Sequence, residues 1–246
     1  MNRAFKYGDA VFETMVCFEG NLLLWSFHKS RLLASLSYLG MKISQEVLEE
    51  FVFERLEGTG VLRLQAYRKG GDFFDISEDV ELQLEFKPMV SVFQDNDPIS
   101  LGLYIENYKA TSPLYNLKSA NYLLYVHARQ YANAQEVDDV LLVNGYGNIV
   151  EACTSNIFIV EKGEVYTPDL DSGPVGGVMR SFLMGQFDIR EEPFDFQRVL
   201  EADEVFLTNA VKGIIPVKSF NGREKESKIL ASKWQEFLRK SLLKKD

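Results

Sequence analysis

Lys118 is the residue whose type and surroundings point most directly to covalent chemistry. Burial among apolar neighbours lowers the pKa of an amine, and the neutral amine attacks aldehydes. Most lysines are solvated surface charges, so the local sequence leaves a catalytic role and a surface role both open. Its neighbours are apolar or uncharged, in the run Tyr115-Asn116-Leu117-Lys118-Ser119-Ala120-Asn121-Tyr122.

Glu151 is a second candidate, because it precedes the small residues Ala152-Cys153-Thr154-Ser155-Asn156 and an apolar run. A buried carboxylate in such a setting needs a cationic partner, and a protonated pyridine nitrogen is one such cation. A glutamate at the end of a hairpin, exposed to solvent, agrees equally well with the sequence.

Three further segments could bind a phosphate group. Residues 176–180 begin with two glycines that open a predicted helix, where a phosphate can approach backbone N–H groups at the positive end of the helix dipole. Arg31 could bind a phosphate through two nitrogens at once. Asn209 and Ala210 follow a predicted strand, where backbone N–H groups can also serve. Taken singly, these features also occur as a plain helix start, a solvated arginine and a turn.

The elements that must position these residues follow from apolar periodicity and turn signals. Ser26 and Ser119 are predicted to cap helices, and Gly40 to end the first one. In the first part, strands are predicted at residues 11–18, 22–25, 61–67 and 80–86, and helices at 26–39 and 45–56. In the second part, strands are predicted at 101–108, 140–143, 157–160 and 205–208, and helices at 119–134, 178–187 and 225–243.

This mixture predicts an α/β (α+β) fold with two lobes, residues 1–97 and 98–246, and a ligand cleft between them. The 246 residues carry a net charge of −9, which argues against binding to nucleic acid. No apolar run approaches the ~18 residues of a membrane span, and the polar first nine residues are unlike a signal peptide, so we expect a cytoplasmic protein. Two cysteines and two histidines favour neither a disulfide framework nor a metal site.

Further motifs surround the candidates in a fixed order: Phe5-Lys6-Tyr7-Gly8-Asp9-Ala10-Val11-Phe12-Glu13-Thr14, His28 to Arg31-Leu32, Val150-Glu151, Ser155-Asn156-Ile157-Phe158, Tyr166-Thr167-Pro168, Gly177-Val178-Met179-Arg180, Ala202-Asp203-Glu204 and Pro216-Val217. With the run around Lys118, this order resembles the class IV (fold type IV) pyridoxal-phosphate enzymes, which include branched-chain and D-amino acid aminotransferases and aminodeoxychorismate lyase. The resemblance covers nearly the whole chain and implies a fold like that of D-amino acid aminotransferase.

The resemblance implies pyridoxal 5'-phosphate as cofactor and a role for each candidate. Lys118 corresponds to the Schiff-base lysine, Glu151 to the partner of the pyridine nitrogen, and Arg31 to a phosphate ligand. Other cofactor contacts would come from Tyr122, at the phenolic oxygen, and from the backbone of Val178, Met179, Asn209 and Ala210. The family also implies a homodimer that acts on a small amino compound.

Within the family, the sequence looks most like aminodeoxychorismate lyase, which eliminates pyruvate from 4-amino-4-deoxychorismate to leave 4-aminobenzoate, a folate precursor. The transaminases more often carry Thr at the positions of Met179 and Ala210. A branched-chain or D-amino acid aminotransferase is the alternative.

Two departures from the family pattern keep other interpretations open. Asp72 stands where lyase relatives place an arginine, so the substrate carboxylate would need Arg63, Arg68 or backbone donors. The opening strands usual in the family are missing ahead of Tyr7, so we expect a reduced small lobe or a start that lies upstream. A chain that binds pyridoxal phosphate without turnover is the third interpretation.

Overall fold

The computed structural model describes residues 2–56, 58–70, 72–74, 76–225 and 227–243. The chain divides into a first unit, Met1–Val92 with Leu117–Asn121, and a second unit, Phe93–Asn116 with Tyr122–Asp246. The domain boundary at residues 97 and 98 stays a prediction. Residue 71, and residue 226 of the last predicted helix, lie outside the described residues.

The first unit is an antiparallel sheet in the order β2-β1-β3-β4 with helices packed on one face. Strands β1 and β3 pair along almost their full length, and β4 continues the sheet beyond β3. The elements are α1 (Arg3–Tyr7), β1 (Ala10–Phe18), β2 (Asn21–Leu22), α2 (Trp25–Tyr38), α3 (Gln45–Phe53), β3 (Gly60–Arg68) and β4 (Val80–Pro88).

The core of the first unit follows from the two-residue period of its strands. Alternate residues of β3 are buried, and they meet the apolar sides of α2 and α3. Burial of each large aliphatic side chain contributes roughly 1.5–3 kcal/mol. The core comprises Val11, Met15, Cys17, Leu32, Leu36, Met41, Leu48, Val52, Leu62, Leu64 and Ala66.

The predicted cap of the first long helix was wrong by two residues. Leu24, in the left-handed conformation with φ 56°, precedes α2, and no side chain caps the helix. The tight reversal after β2 shortens the predicted strand at 22–25 and starts the helix at Trp25. The start of α3 is confirmed, since Ser44 Oγ accepts a hydrogen bond of 3.2 Å from the N–H of Val47.

The second unit contains a larger mixed sheet in the order β10-β9-β8-β11-β12-β5-β6-β7, with β13 on β12. Its strands are β5 (Ile99–Lys109), β6 (Asp139–Asn144), β7 (Ile149–Ala152), β8 (Asn156–Glu161), β9 (Glu164–Thr167), β10 (Ile189–Glu191), β11 (Glu204–Asn209), β12 (Gly213–Phe220) and β13 (Arg223–Glu224). Its helices are α4 (Pro113–Asn116), α5 (Leu123–Ala134), α6 (Val178–Met184), α7 (Phe196–Glu201) and α8 (Ile229–Leu242), with a 3-10 turn at Leu170–Ser172.

Strands β6, β7, β8 and β11 are buried on both faces, which explains their nearly continuous apolar sequences. The mixed α/β class predicted from the sequence is confirmed by this architecture. None of the helices in the described part of the chain combines the length and apolarity of a bilayer-spanning segment.

Candidate functional site

Lys118 lies on an extended segment beside β1 and not at the start of a helix. The N–H of Phe12 donates to the carbonyl of Lys118, and the N–H of Ala120 donates to the carbonyl of Ala10, both at 2.9 Å. These bonds hold the backbone extended, so the prediction of a helix capped by Ser119 was wrong, and α5 begins only at Leu123. The half-buried Lys118 places its Nζ 4.5 Å from the centroid of the Phe12 ring.

Arg31 forms an ion pair with a buried carboxylate that was not predicted from the sequence. Glu13, on β1, accepts a hydrogen bond of 2.8 Å from Arg31 Nε and a second bond from Arg31 Nη2. The Nδ1 of His28 lies 2.6 Å from Glu13 Oε2, the oxygen that also accepts the bond from Arg31 Nη2. The only sequence signal was a polar residue inside an apolar strand, facing a helix that carries His28 and Arg31 on one side.

The electrostatics of this group follow from its burial. Burial alone would raise the pKa of Glu13, but Arg31 and His28 outweigh it, and the pKa falls to about 2. Burial also lowers the pKa of His28. Glu13 is therefore an anion at neutral pH, and a neutral His28 donates to it through Nδ1. The opposite nitrogen, His28 Nε2, is buried without a hydrogen-bond partner among the described residues.

Glu151, on β7 of the second unit, is buried and surrounded by donors, which decides against the solvent-exposed alternative. Its Oε1 accepts from Tyr125 Oη at 2.6 Å and from Lys109 Nζ. Its Oε2 accepts from the N–H of Val175 at 3.0 Å and from Asn156 Nδ2 at 3.4 Å. Burial and the neighbouring carboxylate raise the pKa of Tyr125, so its hydroxyl remains a donor.

Lys109 was missed by the sequence analysis. It ends β5 and is only 2% exposed, although its neighbours in the sequence are exposed. Burial lowers its pKa, and the contact with Glu151 offsets this only in part. A buried glutamate requires a cation, and that requirement was the signal that could have prompted a search for Lys109.

Polar groups gather where β11 ends and β8 begins. Asn209 donates from Nδ2 to Ser155 Oγ at 3.0 Å, and its Oδ1 accepts from the N–H groups of Val211 and Lys212. Thr208, paired with the first residue of β8, has a buried Oγ1 with no hydrogen-bond partner among the described residues. Ala210 lies in the turn that follows. This edge offers hydroxyl and backbone groups to a polar ligand.

Gly177 brings the start of α6 against the same edge. A Cβ on Gly177 would lie 1.8 Å from Asn156 Oδ1, so no larger residue fits there without displacing it. The side chains of Val178 and Met179 are buried in the unit, so these two residues can offer a ligand only their backbone N–H groups.

Tyr122 immediately precedes α5, and its ring centroid lies 4.5 Å from that of Tyr125. The candidates thus form two sets, each within one unit. Lys118 and Arg31 lie in the first unit, and all the other predicted site residues lie in the second. The described residues contain no cluster of three or more side chains able to hold a metal ion.

Comparison with known proteins places this arrangement in a family. A family model described as amino-transferase class IV matches residues 10–220. The chain is 30% identical to the aminodeoxychorismate lyase of Bacillus subtilis over 235 residues, which cover 87% of this chain and 78% of the relative. It is 24% identical to the D-alanine aminotransferase of Listeria monocytogenes over 236 residues, covering 90% and 81% of the two chains.

The crystal structure of 4-amino-4-deoxychorismate lyase from Pseudomonas aeruginosa superposes with a TM-score of 0.87 at 26% identity, covering 98% of this chain and 94% of the other. Relatives of both reaction types thus match nearly the whole chain. The match to the family model spans both units and every candidate residue from Lys118 to Ala210. This chain belongs to the class IV aminotransferases and is an enzyme of that class.

Proposed function

We propose that this chain is an aminodeoxychorismate lyase that eliminates pyruvate from 4-amino-4-deoxychorismate and releases 4-aminobenzoate. The observation that carries the proposal is Met179, which stands at a position where the aminotransferases more often carry Thr. Its side chain is 1% exposed and packed in the core, so no side-chain hydroxyl is offered there. The lyases of Bacillus subtilis and Pseudomonas aeruginosa support this choice.

The cofactor of the class is pyridoxal 5'-phosphate, and the residues present fit it. Glu151 is a buried carboxylate that suits a protonated ring nitrogen. The buried Thr208 Oγ1, which has no partner among the described residues, is a hydroxyl that a ligand could bind, and Gly177 lets the start of α6 pack closely against Asn156 beside it. The proposed contacts are Lys118, Arg31, Tyr122, Glu151, Val178, Met179, Asn209 and Ala210.

The roles follow from the chemistry of each group. When bound, the cofactor accepts the electron pair released at the amine-bearing carbon of the substrate. Lys118 binds the cofactor through Nζ and, once released by the substrate amine, takes the proton from that carbon. Glu151 holds the proton on the ring nitrogen, and Arg31, oriented by Glu13, binds the phosphate.

The substrate carboxylate needs a cation, and the two arginines considered from the sequence differ in their contacts. Arg68 is occupied, because it donates to Asp9 at 3.0 Å and to backbone carbonyls. The guanidinium of Arg63 lies 4.0 Å from the centroid of the Phe12 ring, the same ring that Lys118 approaches. We assign Arg63 as the residue that binds the substrate carboxylate, because its guanidinium and the Lys118 amine both lie against the Phe12 ring.

Substitution of Arg63 tests this assignment. We expect Arg63→Met to raise KM for the substrate about 10- to 100-fold with a small effect on kcat, because a charged hydrogen bond to a carboxylate contributes about 1.5–3 kcal/mol. Arg55→Met is the matched control, since Arg55 also lies over a phenylalanine ring, that of Phe51, at 4.1 Å. Equal KM values for the two variants would contradict the assignment.

The reaction itself is tested without any keto-acid acceptor. The protein is loaded with pyridoxal phosphate, 4-amino-4-deoxychorismate is added, and release of 4-aminobenzoate is followed. We expect repeated turnover that is lost in Lys118→Ala. If no 4-aminobenzoate appears while the cofactor is bound, the lyase assignment fails.

An aminotransferase is the second candidate, because Asp72 departs from the arginine that lyase relatives carry there, although the same loop also lacks the Arg-x-His clamp seen in D-amino acid aminotransferases. The D-alanine aminotransferase of Listeria monocytogenes supports the same alternative. D-alanine and branched-chain amino acids, each with a keto-acid acceptor, are the donors that test it. Keto-acid-dependent turnover without 4-aminobenzoate release would establish this candidate.

We further propose that the chain forms a homodimer and that it acts in the cytoplasm, where it would supply 4-aminobenzoate as a folate precursor. Large apolar side chains are exposed on β5, α4 and α5 of the second unit, a pattern typical of a surface that another chain covers. They are Ile105, Tyr108, Leu114, Tyr115, Leu123 and Val126. Light scattering should give twice the 28.1 kDa mass of the chain, and a mass of one chain at micromolar concentration would contradict the proposal.

A further inference from the structure

A lysine is buried directly against the carboxylate that we assign to the ring nitrogen. Lys109 is 2% exposed, and its Nζ donates to Glu151 Oε1. The same Nζ lies 5.2 Å from the centroid of the Tyr125 ring. Among the ion pairs of the described residues, Lys109 supplies the only cation on Glu151.

The other donors to Glu151 carry no charge. They are the Tyr125 hydroxyl, the Val175 backbone N–H and the Asn156 amide. Neutral donors orient a carboxylate but leave its negative charge in place. The single charge of Glu151 is therefore balanced by Lys109 within the chain itself.

Neither member of this pair is screened by solvent. Glu151 is 3% exposed, and a like charge placed near a buried cation disfavours its protonated form. Burial lowers the pKa of Lys109, and the ion pair with Glu151 offsets only part of this effect. A protonated ring nitrogen that bound Glu151 would share the carboxylate with Lys109, which already forms an ion pair with it.

We propose that Lys109 is a positioning residue that sets the protonation of the cofactor ring nitrogen by sharing the single negative charge of Glu151 with it. The inference rests on the proposed assignment of Glu151 to that nitrogen. Lys109 weakens the hold of Glu151 on the ring proton, so the nitrogen loses its proton at a lower pH than an unshared carboxylate would dictate.

The test uses pyridoxal phosphate labelled with 15N in the ring, bound to the full chain and followed by NMR between pH 5 and 9. In Lys109→Met we expect the pKa of the ring nitrogen to rise by about 1 unit or more over the wild type, because a competing like charge is removed. Lys109→Gln keeps a hydrogen-bond donor and removes the charge, and should shift the titration in the same direction.

Lys225→Met is the matched control, because Lys225 is also a buried lysine of the second unit. It is 5% exposed and donates to the backbone carbonyls of Leu200 and Ala202, both at 2.9 Å. Its loss should leave the ring titration unchanged.

A ring titration that is the same in the wild type and in both Lys109 variants would overturn the proposal, as would an equal shift in the Lys225 variant. The two levels of inference fail differently. If the wild type shows no visible cofactor absorption that Lys118→Ala removes, the proposed function fails and this inference falls with it. If that absorption is present and the 15N titration does not respond to Lys109, only this inference fails.

Discussion

Glu13 is the buried carboxylate whose removal should be felt most strongly in the first unit. It is 2% exposed and bonds both Arg31 and His28. We predict that Glu13→Gln destabilises the protein and weakens cofactor binding. The amide carries no negative charge, so Arg31 loses the anion that orients it.

The magnitude follows from the pKa of this group. The drop from the ordinary value of 4.5 to about 2 corresponds to about 3 kcal/mol of stability at neutral pH, at about 1.36 kcal/mol per unit. Since the folded pKa is depressed, the contribution is complete above pH 4.5 and is lost as the pH falls towards 2. Roughly half of it remains at pH 3.

The assay is urea unfolding of the wild type and Glu13→Gln at pH 7 and pH 3, followed by tryptophan fluorescence, since Trp25 begins α2. A loss of about 3 kcal/mol lowers the urea midpoint by about 1–3 M for a typical denaturant dependence. Glu49→Gln is the control in the same unit, because Glu49 is partly exposed and also forms an ion pair, with Lys29.

Two results would refute this reasoning. A Glu13→Gln midpoint within about 0.5 M of the wild type at pH 7 would mean that the buried carboxylate is not held as an ion. A difference of the same size at pH 7 and pH 3 would mean that the effect comes from packing and not from charge. The Glu49 control should show a much smaller difference, since a partly exposed ion pair contributes at most about 1 kcal/mol.

Two further predictions concern backbone space and thiol reactivity. Gly177→Ala should weaken binding of pyridoxal phosphate and lower stability by about 1–3 kcal/mol, because the added Cβ would meet Asn156. Gly176→Ala is the control and should be tolerated, because a Cβ there has nothing within 4 Å. Calorimetry measures the binding and thermal melting the stability, and equal melting temperatures for the two variants would contradict the steric argument. At pH 8 we expect neither Cys17 nor Cys153 to react with an aromatic disulfide in the native protein. Burial raises the pKa of both thiols, that of Cys153 to about 12. A reaction as fast in the native protein as in denaturant would contradict this prediction.

The strands predicted from the sequence correspond to strands of the structure, because apolar runs and two-residue alternation are local signals, but β9, β10, β12 and β13 were not predicted. Helix caps were predicted less well. Ser119 has the residue type of a cap, yet it forms a bridge with Val11, far away in the chain. Local propensity cannot report such a pairing, because the competing hydrogen bonds come from another strand. The same limit applies to Leu24, whose left-handed conformation is unusual for leucine.

The candidate site residues that stand in sequence motifs were predicted, whereas the residues that balance their charges were missed. Lys118, Arg31 and Glu151 stand in motifs that the resemblance covers. Glu13 and Lys109 are the counter-ions of two of them, and they are recognised only when burial and contacts are known. A counter-ion can come from any strand that passes nearby, so its position in the sequence carries no fixed spacing.

The membership of Leu117–Asn121 in the first unit has a consequence for how the chain can be made and divided. During synthesis the edge of β1 at Val11 stays unpaired until Ser119 has left the ribosome. The entropy cost of closing the loop between these two residues rises only slowly with loop length. A fragment that ends at Val92 lacks both the edge segment and Lys118. Its open edge would be a template for pairing with other chains, so one cut cannot excise the first unit as a soluble module.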